Sequence, residues 1–142
     1  MSELCLFCHI AQGEMASAIV YEDDLSLAFL DHRPVFYGHT LLIPKAHYAT
    51  LPDLPAALLG PLWANAQLLC RAVELGLGAE GSLVLINNKV SQSVAHVHIH
   101  IIPRRRGDGL RGFLWPRLSY RDEAHLVEVR DALRQAVAAL KG

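Results

Sequence analysis

The sequence predicts an α+β domain: a mainly antiparallel sheet of about five strands, with helices packed on one face. Two observations carry this. Five short stretches rich in β-forming residues, at 18–22, 25–30, 39–44, 82–87 and 96–102, are separated by Gly, Pro and Asp turn residues. Two longer stretches, 53–76 and 122–140, repeat apolar residues at three- and four-residue steps, the period of a helix.

With 142 residues the chain is long enough for one domain with a proper core, here about residues 5–108, followed by an extension with a helix at about 109–142. No internal repeat, low-complexity segment or linker interrupts it. Hydrophobic residues make up 52% and charged residues 19%, an ordinary globular balance. A formal net charge of −1 supplies no global basic field, so no nucleic-acid partner is expected. No apolar run is long enough to span a bilayer, and Met1-Ser2-Glu3-Leu4 lacks the charged and apolar regions of a signal peptide. The expected location is cytoplasmic.

Taken in order, Cys5-Leu6-Phe7-Cys8 opens the fold. Cys70 makes the cysteine count odd, which argues against a disulfide framework. A lone Cys-x-x-Cys fits two buried cysteines on a short helix, a redox pair, or half of a zinc site that needs two further ligands. Residues 18–22 and 25–30 form a hairpin about Asp23-Asp24, and Asp31 follows at the strand end, where a turn residue is common. Pro34 and Gly38 set the next loop, and the third strand starts at His39. In the helix at 53–76, Leu62, Trp63, Ala66, Leu69, Cys70 and Val73 read as a core stripe. Pro61 marks where its regular part starts or kinks, and Gly76 and Gly78 suit its end. Residues 82–87 lead into a loop, and Arg104-Arg105-Arg106 leaves the last strand, placed to steer an anion. Phe113-Leu114-Trp115-Pro116 is expected to cover a cleft or pack on a partner. In the final helix Leu126, Val129, Leu133, Val137 and Leu140 share a face.

The stretch His96-Val97-His98-Ile99-His100-Ile101-Ile102 concentrates the chemistry. Side chains alternate across a strand, so the three imidazoles share one face, roughly 6–7 Å apart, and the apolar residues share the other. Such a row suits metal ligands or a nucleophile with orienting groups. The preceding Asn87-Asn88-Lys89-Val90-Ser91-Gln92-Ser93-Val94 supplies amide, hydroxyl and backbone donors and no carboxylate. Neutral donors suit a phosphoryl group better than a multi-metal centre.

The pattern His-φ-His-φ-His-φ-φ, filled by His96 to Ile102, with Gln92-Ser93-Val94 before it and Pro103-Arg104 after it, resembles the histidine-triad (HIT) superfamily of nucleotide hydrolases and transferases. The resemblance covers about residues 5–108. It implies cleavage of a nucleotide at its α-phosphate, the substrate being a dinucleoside polyphosphate, a nucleoside phosphoramidate or an adenylate. His98 is then the nucleophile of a nucleotidyl-histidine intermediate, its other nitrogen fixed by a backbone carbonyl. His100, Asn87, Gln92 and Ser93 stabilise phosphoryl charge, and Ser93 also serves the leaving group. Asp31 accepts from the ribose hydroxyls, His39 is a fourth histidine beside the triad, and Leu6, Phe7, Ile10, Phe29 and Leu41 form the base cleft. The same resemblance completes the cysteine pair as a structural zinc site of Cys5, Cys8, His47 and His96, and implies a homodimer built on the long helix and an edge strand. Two alternatives are a metal-dependent hydrolase whose triad binds zinc, and a nucleotide-binding regulatory protein with negligible turnover.

Overall fold

The computed structural model describes residues 5–110 and 117–142, so the 113–116 segment lies outside the described residues. The chain divides into two compact units, Met1–Asp108 and Gly109–Gly142. The first holds helix α1 (Leu6–Ala11), strands β1 (Ile19–Glu22), β2 (Ser26–Leu30) and β3 (Thr40–Pro44), helix α2 (Ala56–Leu77), and strands β4 (Gly81–Leu85) and β5 (Ile99–Arg104). The five strands form one antiparallel sheet in the order β1-β2-β3-β5-β4. The second unit carries helix α3 (Glu123–Lys141), whose Asp122 side chain caps its start by accepting from His125 N–H at 2.8 Å.

Register sorts the sheet's two faces. Phe29 pairs with Leu41, which pairs with His100, giving one row across three strands. One residue along, Ala28, Leu42 and Ile99 form a row on the opposite face. The second row joins Val97, Ile101 and α2 residues Leu62, Ala66, Leu69 and Val73 in the larger apolar core. Phe29 and Leu41 of the first row join Leu27, Ile43 and α1 residues Phe7, Cys8 and Ile10 in a separate core. The helices therefore lie on both faces, α2 on one and the short α1 on the other, which corrects the one-sided packing expected from sequence. A six-residue helix has no period to betray which side it covers.

Three sequence expectations shift. Trp63 is 40% exposed, so the helix stripe runs through Leu62, Ala66, Leu69 and Val73 without it, and Cys70 packs only at the edge of the core. Helix α2 starts at Ala56 and carries Pro61 inside its second turn, while Gly78, at φ 66°, ends it in the left-handed conformation that glycine adopts without strain. The regular last strand begins only at Ile99. Pro44 at the end of β3 has no N–H to extend the ladder, and Val97 N–H donates instead to the Tyr48 carbonyl at 2.7 Å.

Asn65 is buried on the apolar stripe of α2 and donates to Asp23 Oδ2 and to Ser26 Oγ, both at 2.7 Å. Asp23 Oδ1 also accepts from the backbone N–H groups of Leu25 and Ser26, each at 2.9 Å. These bonds, the Asn65 amide first, lower the Asp23 carboxyl from its usual 3.8 to about 2. A depressed carboxyl contributes stability that is present above its unfolded value and lost as pH falls toward the folded one. Urea unfolding should therefore show the protein weakening between pH 4 and 2. Asn65→Leu should lose about 1–3 kcal/mol at neutral pH, the usual cost of stranding a buried hydrogen-bond partner, and show a shallower acid dependence.

Candidate active site and metal centre

The imidazoles of His96, His98 and His100 lie on the α1 face of the sheet, as the alternation requires, and His96 and His98 are buried. His98 Nδ1 lies 2.7 Å from the His96 carbonyl oxygen. A carbonyl only accepts, so Nδ1 carries the proton and Nε2 keeps a free lone pair. The His98 ring also meets the edge of Phe7, at a centroid distance of 5.1 Å and an interplanar angle of 89°. Burial lowers the His98 pKa, against the raising influence of the His96 carbonyl and of Asp31, which favours the neutral ring.

His39 and His100 form a second polarised pair. Val35 N–H donates to His39 Nδ1 at 3.1 Å, so in the neutral ring the His39 proton sits on Nε2. His39 Nε2 is 2.9 Å from His100 Nδ1 and donates to it. His100 therefore carries its own proton on Nε2. That atom is buried with no hydrogen-bond partner among the described residues, an N–H left available at the cleft. Burial lowers the pKa of both rings. For His100 the neighbouring His98 and His39 add to it, reaching about 4. Asp31 Oδ1 accepts from Arg33 N–H at 2.9 Å, and Oδ2 stands 3.8 Å from His39 Nε2.

His98 and His100 open onto a cleft of about 680 Å³. All five expected apolar residues, Leu6, Phe7, Ile10, Phe29 and Leu41, line it together with Asp31 and Ser93. Among the described residues, its lining includes no Lys or Arg. Residues 15–18 and His32 also line it, and sequence reasoning missed them because an irregular loop has no period. Asn87 and Gln92 are not among the lining residues. The Gln92 amide is engaged elsewhere: Nε2 donates to the Ala49 carbonyl at 2.6 Å, and Oε1 accepts from Lys89 N–H at 2.8 Å. Asn88 Oδ1 accepts from Leu51 N–H at 2.9 Å. These two side chains pin the loop, in which Lys89 and Ser91 hold positive φ. The arginine run also serves the fold: Arg104 pairs with Asp108, Arg106 with Glu80, and Arg105 donates to the Leu77 carbonyl.

A second cluster lies at the back of His96. One ligand atom from each of Cys5, Cys8, His47 and His96 falls within 4.8 Å of the others. His96 Nδ1 is 3.4 Å from Cys5 Sγ and 3.5 Å from Cys8 Sγ, and His47 Nδ1 is 3.3 Å from Cys8 Sγ and 3.2 Å from His96 Nδ1. Tetrahedral zinc with nitrogen and sulfur ligands separates neighbouring ligand atoms by about 3.3–3.6 Å, so the spacing fits. His96 Nε2 donates to the Pro44 carbonyl at 2.8 Å, leaving Nδ1 bare, the outer-shell arrangement that orients a metal-bound imidazole. The group Asp31, His39 and His100 is also close enough to hold a metal, but His39 Nδ1 accepts from Val35 N–H and so keeps Nε2 protonated.

The wall of the apolar cleft thus presents a bare imidazole nitrogen beside a neutral imidazole N–H. The chain belongs to the HIT domain family, whose model matches residues 12–107. Helix α1, with Cys5 and Cys8, precedes the matched segment. Among relatives, an adenylylsulfatase of Arabidopsis thaliana is 39% identical over 75% of this chain, which spans only 55% of that protein. The adenosine 5'-monophosphoramidase of Saccharomyces cerevisiae is 40% identical over 79% of this chain and 70% of its own length. A HIT family member from Bacillus subtilis superposes with a TM-score of 0.86 at 34% identity, covering 94% of this chain and 96% of that one. A zinc-bound histidine triad protein from Mycobacterium smegmatis superposes with a TM-score of 0.72 at 38% identity, covering 96% and 97%.

The hydrogen-bond directions are measurable. Long-range ¹H–¹⁵N correlation spectra at pH 7 should show neutral His98 protonated at Nδ1, and neutral His39 and His100 protonated at Nε2.

Proposed function

We propose that the protein cleaves a nucleotide at its α-phosphate through a nucleotidyl-His98 intermediate. The observation that carries this is the opposite polarity of two adjacent rings, a bare Nε2 on His98 and an Nε2–H on His100 with no partner among the described residues. The His98 lone pair attacks phosphorus. The bond to the leaving group breaks, and the leaving atom takes the electron pair and a proton that the exposed Ser93 hydroxyl passes on from solvent. The His96 carbonyl holds the Nδ1 proton while the ring is positively charged. His100 donates to the phosphoryl oxygen on which negative charge grows. Water then attacks phosphorus, the P–N bond returns its pair to Nε2, and the water's proton leaves to solvent.

The base packs among Leu6, Phe7, Ile10, Phe29 and Leu41, and Asp31 accepts from the ribose diol. The relatives named for adenylylsulfate and for an adenosine phosphoramidate share the adenosine nucleotide and differ in the group on phosphorus. A substrate with an adenosine 5'-phosphoryl group is the reading they support. Asn87 and Gln92 leave the phosphate to His100 and Ser93, with Gln92 acting through the loop.

The Cys5, Cys8, His47 and His96 cluster holds a structural zinc. Zinc supplies no step of the cleavage; it ties the N-terminal segment to the catalytic stretch. This assignment turns His96 Nδ1 away from a zinc bound by the triad, which favours the nucleophile reading over a metal-dependent hydrolase. The chain works as a homodimer. Edge strand β4 and the exposed α2 residues Trp63, Leu68 and Leu75 supply the unpartnered surface. Native mass spectrometry should find two chains with one zinc per chain, and Cys8→Ser should lose the metal.

The decisive test is rapid quench with a nucleotide labelled at the α-phosphate. Acid-labile label should appear on the peptide containing His98. His98→Asn should lose several orders of magnitude in turnover while keeping its zinc, because His98 is not one of the four ligands. His100→Asn should lose about 100–1000-fold, the scale of one charge-stabilising donor. Absence of label, with loss of metal in His98→Asn, would replace this mechanism by triad-bound zinc.

A further inference from the structure

Helix α1 takes part in both sites. Cys5 and Cys8 belong to the metal cluster, while Leu6, Phe7 and Ile10 line the cleft. The two sets interleave over residues 5–10, so the backbone that places the thiols also places the cleft wall. With six residues, the helix is far too short to persist by its own hydrogen bonds. It is held by its packing on Leu27, Phe29, Leu41 and Ile43 and by its cap, where Cys5 Sγ accepts from Cys8 N–H at 3.3 Å. The cap atom is itself one of the four cluster atoms.

A second link runs through His96. Its side chain belongs to the cluster, and its carbonyl accepts from His98 Nδ1. Phe7 closes the circuit by meeting the His98 ring edge-on and Phe29 at a centroid distance of 5.3 Å. His47 precedes Tyr48, whose carbonyl receives Val97 N–H, so the fourth ligand is tied to the same stretch. Three segments far apart in sequence thus meet at the cluster, and two of them, α1 and the stretch through His98, carry residues of the cleft wall.

We propose that the metal cluster and the cleft are thermodynamically coupled. Zinc bound by Cys5, Cys8, His47 and His96 holds α1 as the wall against which the base packs, so zinc and a nucleoside monophosphate bind with positive cooperativity. The inference rests on the cleft being the nucleotide site. The coupling has to be reciprocal: whatever factor zinc adds to nucleotide affinity, the nucleotide adds to zinc affinity. Loss of zinc then lowers nucleotide occupancy while His98 and His100 remain in the chain.

The test uses zinc-loaded, full-length protein in competition with a chromophoric chelator, with and without saturating AMP, and with AMP plus chelator alone as the blank. AMP should raise zinc affinity about tenfold, within the 5- to 150-fold range of coupled sites. Titration of chelated protein should show AMP binding weakened by the same factor. If the chelated protein unfolds, the competition still reads the coupling. Inorganic phosphate has no base to pack on Leu6, Phe7 and Ile10, and should leave zinc affinity unchanged. AMP that binds zinc-loaded protein without changing zinc affinity overturns the coupling and leaves the nucleotide assignment standing. An effect of phosphate equal to that of AMP overturns the route through α1. Failure of AMP to bind zinc-loaded protein at millimolar concentration overturns the nucleotide assignment, and the coupling with it.

Discussion

A side chain that points up at one residue of an extended chain points down at the next, and the site depends on that geometry. Val97, Ile99 and Ile101 are fully buried against α2, so the stretch cannot rotate or slip by one residue without putting three imidazoles into an apolar core. The core on one side thereby fixes the chemistry on the other. The same constraint extends across the sheet, where Phe29 and Leu41 share the face of His100 through antiparallel register.

Within that frame, the backbone sets the direction of each imidazole. The His96 carbonyl and the Val35 N–H are fixed in polarity, one only accepting and the other only donating. Each forces one nitrogen of its histidine, and the second constraint passes from His39 to His100. Buried rings would otherwise interconvert between two neutral tautomers with opposite chemistry. Burial keeps these rings neutral by penalising the charged form.

Most of the sheet was readable from the sequence because hydrophobic alternation and turn residues are local signals. The strand pairs around Asp23-Asp24 and the histidine stretch were readable for that reason, as were the cleft residues once the triad was recognised. Other features depend on distant partners. Asn65 interrupts an apolar stripe and makes sense only beside Asp23 and Ser26, 42 and 39 residues away. Trp63 matched the helical period but fell on the exposed edge of the stripe, which periodicity alone does not resolve. Gln92 has the chemistry of a phosphate donor, and only the Ala49 carbonyl beside it shows that its amide anchors the loop. The side of the sheet covered by α1 had no local signature at all.

Among the described residues, the cleft lining contains one carboxylate, that of Asp31, and no lysine or arginine. Long-range attraction between opposite charges is what added salt screens away. A ligand held here by dispersion, by short hydrogen bonds from neutral imidazole and hydroxyl groups, and by the exclusion of water gains little from that attraction. Extra phosphates on a polyanionic ligand gain no ion pair from the lining either. A ligand in the cleft therefore draws its affinity from contact, and added salt should shift its occupancy little.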